Sequence, residues 1–138
     1  MTVLHVASQS NSVAPLYFFK RLGVSIDAKD DNGMTALHWA AYSCAEISVD
    51  YLLAWSANLN LTDNLGQTAL HTAVRRVDEA ESVRSIKFLL LKGAKTHVKD
   101  KDGRTALDYC GMIENTKLRS EAITMLQKPK MWDCLVLS

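Results

Sequence analysis

Three histidines, His5, His38 and His71, recur at intervals of 33 residues. Each stands fourth in a near-identical hexapeptide: TVLHVA at 2–7, TALHWA at 35–40 and TALHTA at 68–73. A set of imidazoles in register could in principle ligate a metal. Zinc–nitrogen bonds of about 2.0–2.1 Å require the ligands to converge on one point, whereas equivalent residues on packed helices stand about 8–10 Å apart. The regular spacing therefore predicts a structural role: each histidine hydrogen-bonds near a helix start and stiffens the junction with the preceding turn. His97 is off this register and is expected on a hairpin.

No other constellation suggests a reaction. There is no Gly-rich phosphate loop, no G-x-S-x-G and no HExxH. Asp78, Glu79 and Glu81 cluster, but within an inserted stretch that reads as a solvated loop. The expectation is a non-catalytic chain with no cofactor and no metal. The bulk properties agree with a folded domain. The 138 residues are 48% hydrophobic and 22% charged, with a net charge of +1, so disorder is disfavoured and nucleic acid is not an expected partner. No apolar run approaches the roughly 20 residues that span a membrane. The start, MTVLHVASQS, lacks the basic and apolar regions of a secretory signal. Cys44, Cys110 and Cys134 are odd in number and form no CxxC, which favours a reducing, cytosolic compartment.

The elements that would position these residues follow the same period. The threonines Thr2, Thr35 and Thr68 are spaced by 33, and Thr105, opening TALDYC, follows after 37. Asp30, Asp63 and Asp100 each precede a glycine by three residues, at Gly33, Gly66 and Gly103, and each glycine precedes a threonine by two. The D-x-x-G tip predicts a tight turn, and the threonine an N-cap. A first helix, TALHWAAYS in the second unit, buries Leu37, Ala40 and Ala41. A second, about ISVDYLLAW, buries Ile47, Leu52 and Leu53 and ends at a left-handed Gly23, Ser56 or Gly93. Neither helix buries its apolar face alone, so the units must stack. The reading is one all-α solenoid of about four helix-turn-helix units with connecting β-hairpin loops: 2–29, 30–62, 63–99 and 100–127, with a tail at 128–138. The third unit carries four extra residues around RRVDEAESV, between its helices.

This pattern resembles the ankyrin repeat. TALH and the DNG and DGRT tips match its T-P-L-H and D-x-x-G-x-T signature, with alanine for proline at Ala36, Ala69 and Ala106. The resemblance implies that a monomer binds a protein or peptide in a concave groove made by tips and first helices. Carried onto this sequence, the groove positions include Ser10, Asn11, Tyr42, Arg75, Arg76, Met112 and Ile113 on the helices and Asn32, Met34, Leu65, Gln67 and Arg104 on the tips. The groove would be aromatic and polar in its middle and basic towards the third and fourth units. Trp39 follows the histidine where the other units carry Val6, Thr72 and Tyr109. It reads either as half-buried filler or as the aromatic floor of a peptide site, with one N–H to offer. Tyr42, three residues on, shares its helix face.

A narrower resemblance, carried by LHWAAYS, YLLAW, DKDGRTALDY and MLQKPKMWDCLVLS, is to the cytosolic ankyrin region of DHHC-type protein palmitoyltransferases. It implies a substrate-recruiting domain on the cytosolic face of an internal membrane such as the Golgi. Trp39 matches a peptide-binding tryptophan there, and Ser10, with Asn11 beside it, takes the place of a cooperating asparagine. On this reading the chain is a piece of a longer protein. It opens inside a unit and closes on the apolar WDCLVLS, with Trp132 near and Cys134 within a membrane approach. The alternative is a free-standing soluble adaptor or an inhibitor of a cytosolic protein.

Overall fold

The computed structural model describes residues 3–127. The tail residues Trp132 and Cys134 lie outside the described residues. Four helix pairs stack in chain order. The pairs are α1 (Val3–Ser8) with α2 (Val13–Arg21), and α3 (Ala36–Tyr42) with α4 (Glu46–Ala54). Then come α5 (Ala69–Arg75) with α7 (Arg84–Leu91), and α8 (Ala106–Tyr109), extended by a 3₁₀ turn, with α9 (Thr116–Gln127). A one-turn helix, α6 (Val77–Ala80), lies inside the third pair. First helices pack on first helices, and second on second, giving two rows with the core between them.

The core is built from the repeat. Ala7, Ala40, Ala73 and Cys110 occupy one register position, and all are buried. Small side chains there let adjacent first helices approach closely. Leu16, Val49 and Ile86 fill the equivalent place on the second helices, each fully buried. Burial leaves the Cys110 thiol pushed up to about 11, an inert apolar filler. The helix from Glu46 buries Leu52 and Leu53 as expected, and Val49 with them, but not Ile47, which is 47% exposed. Ile47 stands in the first turn of α4, and Ser48 takes the inward position instead.

Each tip is built identically. One carboxylate oxygen of Asp30 accepts the N–H groups of Asn32 and Met34, both at 2.9 Å. Asp63 does the same for Leu65 and Gln67, and Asp100 for Asp102 and Arg104. The expected β-hairpins are reduced to turns. Asp30 N–H donates to Met34 O and Gly33 N–H to Asp30 O, and nothing longer forms. Among the described residues there is no strand. Consecutive tips are joined edge to edge: Asn64 N–H donates to Asn32 O, and Lys101 N–H to Leu65 O, both at 3.0 Å. Gly33 is required twice over. Its φ is 74°, and a Cβ would meet the Asn64 side chain at 2.6 Å.

The histidines join tip to helix and unit to unit. Thr35 and His38 form a reciprocal cap, in which Nδ1 of His38 accepts Thr35 N–H at 3.2 Å. That acceptor role places the ring hydrogen on Nε2, which donates to Gln67 O of the next unit at 2.9 Å. His71 repeats this with Thr68 and Arg104 O. His5 reaches the carbonyls of Ala28 and Met34 at 3.0 and 2.9 Å. In the fourth unit Asp108 replaces histidine and accepts Thr105 N–H at 2.8 Å.

The inserted stretch is not a loose loop. Residues Asn11, Cys44 and Glu81 hold the left-handed position between paired helices, with φ of 51°, 58° and 53°. The four extra residues are α6, placed just ahead of Glu81. Its Asp78 accepts the N–H groups of Glu114 and Asn115, at 2.8 and 3.1 Å, and so anchors the start of α9. Of the acidic cluster read as solvated, Glu79 and Glu81 are exposed, whereas Asp78 holds the fourth unit onto the third.

Two expectations follow. Burial lowers the His38 pKa below its ordinary 6.5. Between pH 7 and 5 the unfolded chain takes up a proton that the native imidazole refuses, so stability falls with pH across that window. The melting temperature should drop from pH 7 to 5, and His38→Ala should be less stable at pH 7 by about 1–3 kcal/mol and lose much of that slope. Asp78→Ala should cost about 0.5–2 kcal/mol, as lost helix caps do, read by urea denaturation.

Candidate partner-binding groove

Trp39 and Tyr42 leave the same face of α3 and meet edge to face, their ring centres 6.0 Å apart. Trp39 is half-buried and Tyr42 is 48% exposed. With Met34 and, from the next unit, Asp63, Leu65, Gln67, Thr72 and Arg75, they line a depression of about 290 Å³. Leu65, on the second tip, is 59% exposed and forms an apolar rim. The depression thus has an aromatic wall, an apolar lip and one cationic edge.

The Trp39 indole is held rather than free. Its Nε1–H donates to the outer carboxylate oxygen of Asp30 at 2.8 Å. The expectation that it offers this N–H to a ligand is corrected: the donor belongs to the tip, and Trp39 presents ring surface only. Burial would raise the Asp30 carboxyl. The donors from Trp39, Met34 and Asn32 outweigh it, and the net shift is downward. The fourth unit repeats the clamp with a different ring. Tyr109, at the register of Trp39, donates its hydroxyl to Asp100, whose same oxygen also takes Gln67 Nε2–H at 3.2 Å. Burial again works to raise Asp100, and the bonds from Tyr109, Arg104 N–H, Gln67 and Asp102 N–H bring it down to about 2. The Tyr109 hydroxyl moves up, because its proton bonds that carboxylate and because it is buried.

The structure divides the remaining expected groove positions. Met34 lies in the depression, and Asn32 sits on the exposed tip, its carbonyl bonded to Asn64. Arg75 lines the depression and donates to Gln67 Oε1 at 2.9 Å. Its guanidinium is 5.7 Å from the Tyr109 ring centre, and that of Arg104 is 5.9 Å from it. Arg76 stacks on Tyr42 at 4.6 Å and approaches Glu79 at 3.9 Å, so it braces Tyr42. Asn11 is not brought to Trp39. Its carboxamide accepts Ile47 N–H at 2.7 Å and caps α4, between the helix pairs. Ser10 returns its hydroxyl to Ala7 O at 2.6 Å. Ile113 is buried in the core, whereas Met112 is exposed. Gln67, expected as a tip position of the groove, also ties Arg75, Asp100 and Tyr109 together.

Among the described residues no helix is long and apolar enough to cross a membrane, and no cluster of side chains fits a metal ion. A family model for ankyrin repeats, in three copies, matches residues 4–100, or 97 of the 138 residues. The chain belongs to the ankyrin-repeat family. Its units are therefore a protein-interaction scaffold, and the helical stack of tips and paired helices is an all-α ankyrin solenoid. The ankyrin tips supply the aspartates that orient Trp39 and Tyr109, so the scaffold and the groove share the same residues.

Trp39→Phe keeps the ring and removes its donor. It should cost about 1 kcal/mol, below the usual range for a bond to a carboxylate because water reaches Asp30. Comparing its denaturation midpoint with the parent's checks this, and no loss would show the Asp30 bond to be idle.

Proposed function

We propose that this ankyrin domain binds an extended peptide segment of a partner protein across the Trp39–Tyr42 depression. The observation that carries the reading is a rigid aromatic pair that stays half open, beside an exposed Leu65, on the face built by tips and first helices. Ring surface fixed in advance binds without ordering cost, which is why anchors of this kind dominate interfaces. We further propose that the domain recruits substrates for a membrane protein S-palmitoyltransferase of the DHHC type. The support is the resemblance carried by LHWAAYS and the position of Trp39 within it.

Two measurements separate these claims. Panning a random dodecapeptide phage library on the chain should enrich peptides whose affinity falls by about 1–2 kcal/mol or more with Trp39→Ala, while circular dichroism stays helical. Peptides indifferent to Trp39→Ala would remove it from the site. Sequencing the source transcript beyond Ser138 tests the second claim. Apolar segments of about 20 residues flanking a Cys-rich Asp-His-His-Cys stretch would support it. A stop codon would sink it and leave a self-contained adaptor.

A further inference from the structure

Resting on that groove reading, we infer that the partner segment carries an acidic side chain one unit beyond its apolar anchor, seated between Arg75 and Arg104. Both guanidiniums approach the same Tyr109 ring, at 5.7 and 5.9 Å. Both residues are exposed. Among the described residues neither lies within ion-pair distance of a carboxylate, whereas Arg76 has Glu79 at 3.9 Å and Arg84 has Glu46 at 4.0 Å. Asp100, at the base of the same tip as Arg104, is no partner for them. It is buried, and its two oxygens already accept the N–H groups of Asp102 and Arg104, the Tyr109 hydroxyl and the Gln67 amide. Asp63 lines the same depression, and its Oδ1 accepts Leu65 and Gln67 N–H.

Arg75 is also held in place. It is fixed by Gln67 Oε1 at 2.9 Å, and Gln67 is fixed in turn by Asp100 and the Tyr109 hydroxyl. A cation held by a buried network, and stacked beside an aromatic ring, is ordered before anything binds. A carboxylate arriving there completes charge-assisted hydrogen bonds that the free protein lacks. Arg75 is also a wall of the Trp39 depression, so the apolar and cationic subsites are contiguous. Successive ankyrin units are spaced by about 8–10 Å, and an extended chain advances about 3.3 Å per residue. The acidic residue should therefore lie about three positions from the apolar one.

The phage selection described above provides the test. Selected peptides should place Asp or Glu about three residues from a large apolar residue. The best of them, synthesised, should lose about ten-fold or more in affinity to Arg75→Glu and to Arg104→Glu, and that loss should shrink as salt rises. A selection repeated on the Arg75→Glu, Arg104→Glu double variant should return Lys or Arg at that position. Circular dichroism and melting of the variants exclude unfolding, since both positions are on the surface. Peptides that depend on Trp39 but carry no acidic residue, or bind the charge-reversed protein equally, would overturn this inference and leave the groove intact. Peptides that ignore Trp39 would overturn both. Replacing the acidic residue by phosphoserine and gaining ten-fold would reassign the arginines to a phosphopeptide and overturn the carboxylate.

Discussion

One hydrogen-bonded ring carries the architecture: the imidazole that accepts from its own threonine and donates to the next unit's tip. His38 Nδ1 takes Thr35 N–H and Nε2–H reaches Gln67 O. A side chain with one acceptor and one donor, on opposite edges of a rigid plane, is what this bridge needs. Neutral histidine supplies both, with the two nitrogens held at a fixed separation in one ring. The ring therefore fixes the helix start and the distance to the following unit together. Every burial in the two helix rows depends on that distance, because the alanines at the contacts tolerate little error. The same bonds explain why a register of imidazoles holds no metal: both nitrogens of His38 are already committed, facing different units.

The period, the fold and the role of the histidines were legible in the sequence because they rest on backbone needs that recur in each copy. A threonine cap, an Asp-x-x-Gly turn and a left-handed glycine each leave one residue type at one place. The insertion at 77–80 was visible as a change of spacing from 33 to 37, but its shape was not. Asp78 serves the fourth unit through partners 36 and 37 residues away, and nothing local marks that use. Ile47 misled for a related reason: helical periodicity places a residue on a face, but the first turn of α4 is left open by its neighbours.

The groove was legible only in part. Trp39 and Tyr42 were placed together by their spacing of three on one helix, and Arg75 by its place at the helix end. Asn11 was drawn to the groove by adjacency to Ser10, although the left-handed bend at Asn11, with φ of 51°, turns the chain towards α4. Gln67 was legible as a tip position but its bonding role was not, since that role comes from Asp100 and Tyr109, 33 and 42 residues later. Residues that serve their own unit can be read from one copy. Residues that serve a neighbour need the stack.

The position after the histidine shows how one register yields a site. Val6, Trp39, Thr72 and Tyr109 occupy it in turn. Where the side chain is a long aromatic with a polar tip, it reaches the unit's own aspartate and becomes rigid, as Trp39 does with Asp30 and Tyr109 with Asp100. Thr72 is too short for that reach, and its hydroxyl lies 3.5 Å from Thr68 O instead. The third unit thus carries a small residue between two fixed rings, and the depression opens there, lined by Thr72. A larger residue at 72 would fill the space that Trp39, Tyr42 and Arg75 surround. The scaffold repeats identically at this position's backbone, and variation in one side chain decides which units hold the stack together and which leave room for a partner.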